Sequence, residues 1–130
     1  MHNDALPPIS SRSAPHVEFR TYLDRGELAF QRCGRCASVA FPPRLRCRNC
    51  SADALQWEVS TGIGAVYSVS VLTPRGGPPY CVALVDLDEG FRVMTNVNGA
   101  PAADVAIGDP VRFAPTMTDQ GPLATFAVTR

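Results

Sequence analysis

Residues 33–50 read CGRCASVAFPPRLRCRNC and contain two C-x-x-C pairs, Cys33 with Cys36 and Cys47 with Cys50, with ten residues between them. Each pair can curl so that both sulfurs face one point, and two pairs together make a tetrahedral cage of four thiolates. The Phe-Pro-Pro segment between the pairs supplies a turn that brings the second pair back to the first. This stretch predicts a metal-binding ribbon over residues 27–54, and the other elements are assigned around it.

Zn²⁺ is the ion that suits this cage best, because four-cysteine sites in small ribbon modules hold it tetrahedrally. Four thiolates leave no position open for water, so we expect a structural zinc rather than a catalytic one. Two alternatives remain open on the residues alone. Iron in a rubredoxin-type site would use the same ligands and make the protein an electron carrier. A redox dithiol pair is the other, although no thioredoxin-like βαβ pattern surrounds either motif.

The composition predicts a small, mainly β protein. The 12 prolines and 10 glycines among its 130 residues favour turns and short strands over long helices. Residues 1–15 read as an extended lead, and a helix is predicted over residues 16–25, where apolar residues recur on one face; together they make an N-terminal unit, residues 1–26. In residues 27–32 the larger apolar side chains occupy every second position, which predicts a strand that leads into the first cysteine pair.

The second part, residues 55–130, carries five or six short strands separated by Gly- and Pro-rich turns. Gly62 and Gly64 interrupt this pattern in the way expected of a bulge or a bend. This number of strands suits a five-stranded oligonucleotide/oligosaccharide-binding (OB) barrel. A fragment of a β-sandwich would show the same pattern of short strands and turns. The predicted strands cover residues 55–59, 65–72, 80–85, 91–97, 111–117 and 123–129.

Overall composition excludes several classes of function. The 12 basic residues balance the 12 acidic ones, and all the basic residues are arginines, which excludes lysine Schiff-base chemistry and a P-loop. No run of about 18 apolar residues could span a membrane, and the N-terminus lacks the pattern of a secretory signal. We therefore expect a cytoplasmic protein in which clustered cysteines bind metal rather than form disulfides.

No group of residues predicts catalysis. Cys81 lies in an apolar strand, where a buried cysteine is expected, and the two histidines, His2 and His16, lie in or beside the lead. The three acidic residues of the turn at residues 86–89 are more typical of a solvated hairpin tip than of a hard-cation site. The motifs of serine hydrolases, zinc peptidases and dinucleotide-binding loops are absent.

Charge is divided unevenly along the chain. Between Leu28 and Ala52 there are five arginines and no acidic residue, so this window carries +5 and the remainder −5. Four thiolates around Zn²⁺ contribute about −2, which leaves a metallated ribbon near +3. Some of this arginine offsets the thiolates, and the surplus indicates a surface that meets an anion, such as nucleic acid, the phosphates of coenzyme A or an acidic protein patch.

Several of these motifs in combination resemble one bacterial and archaeal family, long catalogued as a domain of unknown function (number thirty-five). The resemblance rests on a short helix, the two cysteine pairs with Phe41-Pro42-Pro43-Arg44 between them, and GIGAVYS at residues 62–68. It extends to VDLDEG at residues 85–90 and IGDPV at residues 107–111. It implies a rubredoxin-like zinc ribbon joined to a C-terminal OB-fold. The chain departs from the family pattern at Ala37, where glycine is common, and at Arg48, where proline is common.

The resemblance also implies a function that the spacing alone does not. Members of this family assemble with thiolase-superfamily enzymes as non-catalytic subunits, which bridge and stabilise the active subunits and lie against the acyl-CoA. On that basis Phe41, Pro42, Arg44 and the leading helix are candidates for the surface that meets the partner or coenzyme A. The alternative is an OB-fold module that binds single-stranded nucleic acid, which the acidic balance of the barrel half disfavours.

Overall fold

A computed structural model of the chain describes residues 14–130, which form one α-helix, one turn of 3₁₀-helix at Ala102–Asp104, a three-stranded sheet, a closed five-stranded barrel and a small hairpin. This architecture confirms the predicted class of mainly β protein with a short helix, a ribbon and an OB barrel. Most of the predicted lead, residues 1–15, lies outside the described residues. The elements are α1 (Pro15–Asp24), β1 (Ala29–Cys33), β2 (Val39–Ala40), β3 (Leu55–Val59), β4 (Ile63–Leu72), β5 (Tyr80–Leu87), β6 (Arg92–Asn98), β7 (Pro110–Phe113), β8 (Thr116–Thr118), β9 (Gly121–Leu123) and β10 (Phe126–Val128).

The helix α1 begins at a proline, whose fixed φ and missing N–H are tolerated in the first turn of a helix. It ends before Gly26, which has a φ of +81° and reverses the chain toward β1. Glu18 in its first turn accepts a hydrogen bond of 2.6 Å from the indole Nε1 of Trp57 in β3. The helix is therefore held against the ribbon sheet.

The ribbon sheet has the order β2-β1-β3, with both pairings antiparallel. Residues 29–33 of β1 pair one to one with residues 59–55 of β3. The expectation that residues 55–59 belong to the barrel is therefore wrong, and β4 is the first barrel strand. The cause is non-local: the alternation along β3 fits any half-buried sheet, and its partner lies more than twenty residues earlier in the chain.

The barrel closes in the order β10-β6-β5-β4-β7. Its register shift falls between Val66 and Ser68, so a bulge at Gly62 and Gly64 is wrong. The alternative of a bend fits Gly62, which has a φ of +79° and lies in the link between β3 and β4. Gly64 serves a different purpose, because a Cβ there would lie 2.5 Å from the carbonyl oxygen of Asp86 on β5. The glycine thus permits close approach of the two strands.

Two strands predicted near the C-terminus are each divided in the structure. The strand predicted over residues 111–117 is divided into β7 and β8. The strand predicted over residues 123–129 is divided into the end of β9 and β10. Only β7 and β10 belong to the barrel, and β8 and β9 form a separate hairpin. At the division, the hydroxyl of Thr125 bonds to Thr116 Oγ1 at 2.7 Å and to the carbonyl of Ala114. These side-chain bonds satisfy polar groups where the strands leave the barrel.

One apolar core serves both the ribbon and the barrel. Leu28 and Phe30, which precede and lie in β1, belong to the same buried cluster as the inward side chains of the barrel. Phe30 stacks on Phe91, with ring centroids 4.8 Å apart. In residues 14–130, the structure contains no helix with the length and apolar character needed to cross a bilayer. The expected cytoplasmic location remains a prediction.

Candidate metal centre and its surroundings

The structure brings the four predicted cysteine ligands together at one end of the ribbon sheet. The Sγ atoms of Cys33, Cys36, Cys47 and Cys50 all lie within 4.8 Å of one another. The closest distances are 3.7 Å between Cys33 and Cys50 and 3.5 Å between Cys36 and Cys47. A tetrahedral zinc with Zn–S bonds of about 2.3 Å needs sulfurs about 3.8 Å apart. The cysteines thus form a metal site, and its dimensions fit zinc.

Two knuckles of the same backbone geometry hold these sulfurs. In each, the residue after the second cysteine donates its N–H to the carbonyl of the first cysteine, at 2.9 Å for Ala37 and 2.8 Å for Ser51. Both residues have positive φ, 66° for Ala37 and 64° for Ser51. This conformation favours glycine, which explains why a glycine is expected after the second cysteine and why Ala37 is a strained replacement.

Hydrogen bonds to sulfur stabilise the thiolate form of the first pair. Backbone N–H groups, chiefly those of Cys36 and Arg35, lower the pKa of Cys33. The side-chain amide of Asn49, 3.5 Å from the sulfur, and Ser38 lower the pKa of Cys36 to about 5. A thiolate is the form that binds metal, so these donors prepare the site for a cation.

Cys50 behaves in the opposite way. The N–H of Ala52 lowers its pKa, but burial and the neighbouring thiols outweigh that bond and raise the pKa to about 11. The Cys50 thiol therefore holds its proton more firmly than the Cys36 thiol does. A cation that binds here would displace that proton, because metal binding to cysteine requires the thiolate.

Gln31 fixes the loop between the cysteine pairs. Its side-chain amide donates to the carbonyl of Arg44 at 3.0 Å and accepts the N–H of Arg44 at 2.8 Å. Gln31 is buried in β1, so both groups of this loop residue are satisfied away from water. Sequence reasoning missed this residue, and its only signal was a glutamine between the buried Phe30 and the first cysteine pair.

Of the residues predicted to meet coenzyme A or the partner, Phe41 and Arg44 line one groove of about 360 Å³ beside the metal site, whereas Pro42 does not line it. The Phe41 ring is half-buried. Its centroid lies 5.7 Å from the ring centroid of Phe19 in α1 and 5.2 Å from that of Phe91 in the barrel. Arg48 lines the same groove. Phe41 thus also joins helix, ribbon and barrel, which the sequence did not predict.

The arginines of the ribbon differ in what they contact. Arg32 forms a 3.0 Å ion pair with Glu58, and Arg46 donates to the carbonyl of Ser51. Within residues 14–130, Arg35, Arg44 and Arg48 have no carboxylate within ion-pair distance. The two arginines of the groove therefore present positive charge that no carboxylate in this part of the chain neutralises, beside cysteine thiolates that offset some of it.

The other candidate residues do not assemble a second site in the described part of the chain. Cys81 is buried and its thiol donates to the carbonyl of Val97 at 3.3 Å, as expected of a core cysteine. Asp86 forms a two-pronged ion pair with Arg92. Glu89 accepts hydrogen bonds from the hydroxyl of Ser60 and the N–H of Thr61, so it joins the end of the ribbon sheet to the barrel.

Comparison with known proteins follows the division into ribbon and barrel. Residues 20–56 match the rubredoxin-like zinc ribbon domain of ChsH2, and residues 57–115 match the C-terminal OB-fold domain of ChsH2. A DUF35 domain-containing scaffold protein of Methanothermobacter thermautotrophicus is 34% identical over 73% of this chain and 76% of its own length. The chain belongs to the DUF35 family.

Two further relatives show the settings in which DUF35 chains are found. A probable enoyl-CoA hydratase alpha subunit of Thermomonospora curvata is 38% identical over 65% of this chain, which spans 28% of the longer subunit. A solved chain of an Ltp2-ChsH2(DUF35) aldolase superposes with a TM-score of 0.77 and 30% identity, covering 94% of this chain and 98% of that one. The solved relative therefore shares both the ribbon and the barrel.

Proposed function

We propose that this chain is a non-catalytic accessory subunit that assembles with a thiolase-superfamily enzyme acting on acyl-CoA. The observation that carries the proposal is the match, along nearly the whole of both chains, with the DUF35 chain of an aldolase assembly. The scaffold name of the Methanothermobacter relative supports the same role. The hydratase subunits are much longer proteins, so their activity is not carried over to this chain.

The partner surface that we propose is an apolar groove of about 520 Å³ between α1 and the β8–β9 hairpin. Arg20 of the helix donates to the carbonyl of Pro122 at 2.6 Å, which holds the two walls together. Val17 and Leu123 on opposite walls are exposed, as is Met117 on the hairpin. Exposed apolar side chains around a preformed groove are typical of a protein interface.

Co-purification tests this assignment. A tagged thiolase-superfamily enzyme encoded beside this chain should retain it through affinity and size-exclusion steps, and the pair Val17→Glu with Leu123→Glu should abolish retention. Ile107→Glu, at an exposed position on the barrel, is the matched control and should be retained. A partner that is stably assembled and fully active without this chain would refute the proposed role.

We propose further that Arg44 and Arg48 bind the phosphates of coenzyme A, with Phe41 forming the apolar floor of the groove. A guanidinium binds phosphate through paired hydrogen bonds, and both side chains lack a carboxylate partner within the described residues. Calorimetric titration with coenzyme A should show binding that weakens roughly tenfold or more in Arg44→Gln. Arg75→Gln, an exposed arginine outside the groove, should bind as the parent does, and equal affinity in all three proteins would exclude the site.

For the metal we propose structural Zn²⁺, held by all four cysteines. Its chemistry there would be to cross-link the two knuckles, since four thiolates leave no place for water or substrate. Elemental analysis of the purified protein should give one zinc per chain, and Cys36→Ser should lose it. Stoichiometric iron with visible absorbance would instead make this a rubredoxin-type centre.

The nucleic-acid alternative is not favoured. Single-strand binding by an OB barrel needs exposed aromatic platforms in a basic groove. Phe91 and Phe126 are buried in the core, and the exposed Tyr67 lies under Arg92, which is itself paired with Asp86. Fluorescence titration with oligonucleotides should therefore show no binding at moderate salt.

A further inference from the structure

The outer edge of β4 is open over half of its length. On one side β4 pairs with β5 from Gly64 to Leu72, whereas on the other side β7 pairs only with residues 63–65. Val66 still exchanges hydrogen bonds with Gly108 and Asp109. Within residues 14–130, no strand or side chain bonds to the outer edge between Tyr67 and Leu72. This leaves a row of backbone donors and acceptors available to another strand.

The open stretch lacks the usual protection of an edge strand. No charged residue occurs between Glu58 and Arg75, and the register shift of this ladder comes before Ser68. The side chains are apolar at the end of the strand, where Val71 is 47% and Leu72 40% exposed on opposite faces. A neutral, partly apolar and unpaired strand edge is the arrangement that binds another strand.

We propose that a second copy of this chain covers this edge by antiparallel pairing of β4 with β4. Ser70 lies within the open stretch, so a two-fold axis there would place Ser70 opposite Ser70 and Val69 opposite Val71. Paired β-branched residues stabilise an antiparallel sheet, and no like charges meet. The three strands β4, β5 and β6 would join their copies in one six-stranded sheet. The inference goes beyond the proposed enzyme partner and does not depend on it.

The available area sets the strength of this association. A stable interface buries roughly 800 Å² on each partner, and the open edge with its exposed side chains offers less than that. We therefore expect a reversible, concentration-dependent dimer rather than a permanent one. Other charges do not oppose it, because Asp86 and Arg92 on the neighbouring strands neutralise each other.

Sedimentation velocity on the metal-loaded chain, up to about 1 mM, tests the proposal. The parent should shift toward twice its 13.9 kDa mass as concentration rises. Ser70 is exposed, so Ser70→Lys and Ser70→Glu should fold normally. Each places like charges opposite each other at the two-fold axis and should weaken self-association by roughly tenfold or more. Met94→Lys, on the exposed face of β6, should dimerise as the parent does.

Mixing the two Ser70 variants distinguishes β4–β4 pairing about Ser70 from self-association through another surface. Lysine opposite glutamate across the axis is attractive, so the mixture should form a heterodimer at concentrations where each variant alone is largely monomeric. A parent that remains a monomer throughout the range would overturn the proposal and leave the edge to a strand of the partner enzyme. Dimerisation unchanged by both Ser70 variants would overturn it as well.

Discussion

Removal of the Phe30 ring should destabilise the ribbon and the barrel together. The Phe30 side chain is 1% exposed, and its ring stacks on Phe91 of the barrel at 4.8 Å with an interplanar angle of 22°. Truncation of a buried phenylalanine to alanine costs about 3–5 kcal/mol, whereas a domain of this size is stable by about 5–15 kcal/mol. Phe30→Ala should therefore remain folded with much of its stability lost.

The assay is urea unfolding of the metal-loaded protein followed by two probes. Trp57 fluorescence reports on the ribbon sheet, and far-ultraviolet circular dichroism reports on the whole chain. The two curves should coincide in the parent and shift together in Phe30→Ala, because one core serves both parts. A cycle with Phe91→Ala should give a coupling energy of about 0.5–1.5 kcal/mol, and leucine can replace alanine if the double variant does not fold.

Two results would refute this reasoning. The first is a loss of less than about 1 kcal/mol in Phe30→Ala, since that would mean that the ring is not part of a shared core. The second is a Trp57 transition that separates from the circular dichroism in the parent. Val59→Ala, at an exposed position in the same sheet, is the control and should stay within about 0.5 kcal/mol of the parent.

Three further predictions follow from individual contacts. Burial raises the pKa of Glu89, but the hydrogen bonds from Thr61 and Ser60 outweigh burial and hold the pKa below its ordinary 4.5. The ionised carboxylate therefore stabilises the fold above pH 4.5, and this stabilisation is lost as the pH falls through the lowered pKa. Thermal unfolding should thus separate Glu89→Gln from the parent at pH 7, and the difference should close as the pH falls below 4.5. Gly64→Ala should cost about 1–3 kcal/mol in chemical denaturation, because its Cβ meets the β5 backbone. Gln31→Ala should cost about 1–3 kcal/mol by leaving two backbone groups of the cysteine loop unpaired.

Each of these has a matched control. Asp88→Asn, beside Glu89 but exposed, should unfold at the same temperature as the parent at pH 7. Gly34→Ala would bring its Cβ no closer than 3.4 Å to the nearest atom, so it should be tolerated far better than Gly64→Ala. Gln56→Ala, on an exposed position of β3, should leave stability and metal content unchanged, whereas equal losses at both glutamines would contradict the role given to Gln31.

Local patterns predicted the elements better than their partners. The apolar face of α1, the alternation in β4 and β6 and the continuous apolar run of β5 were sufficient to place helix and strands within a few residues. Each of these signals lies inside its own element. β3 was recognised as a strand but assigned to the wrong sheet, since pairing depends on β1 far away in the chain. The split of the last two predicted strands was missed because the hydroxyl of Thr125 acts across the fold.

The site shows the same limit. Spacing alone brought the four cysteines together, since each C-x-x-C knuckle is a local structure. Nothing local distinguishes an exposed aromatic residue in a loop from one that packs on two other elements, so the half-buried state of Phe41 could not be predicted. Gln31 was equally hidden, because a buried glutamine is expected only when the groups it satisfies are known.

The position of β3 has a consequence for how such chains can be inherited. The matched ribbon domain ends at residue 56 and the matched OB domain begins at residue 57, in the middle of β3. A recombination event at that boundary would divide a strand whose five partners all lie in β1. We expect ribbon and barrel to be exchanged between proteins as one unit, with new enzymes fused at the ends of that unit and not between its halves.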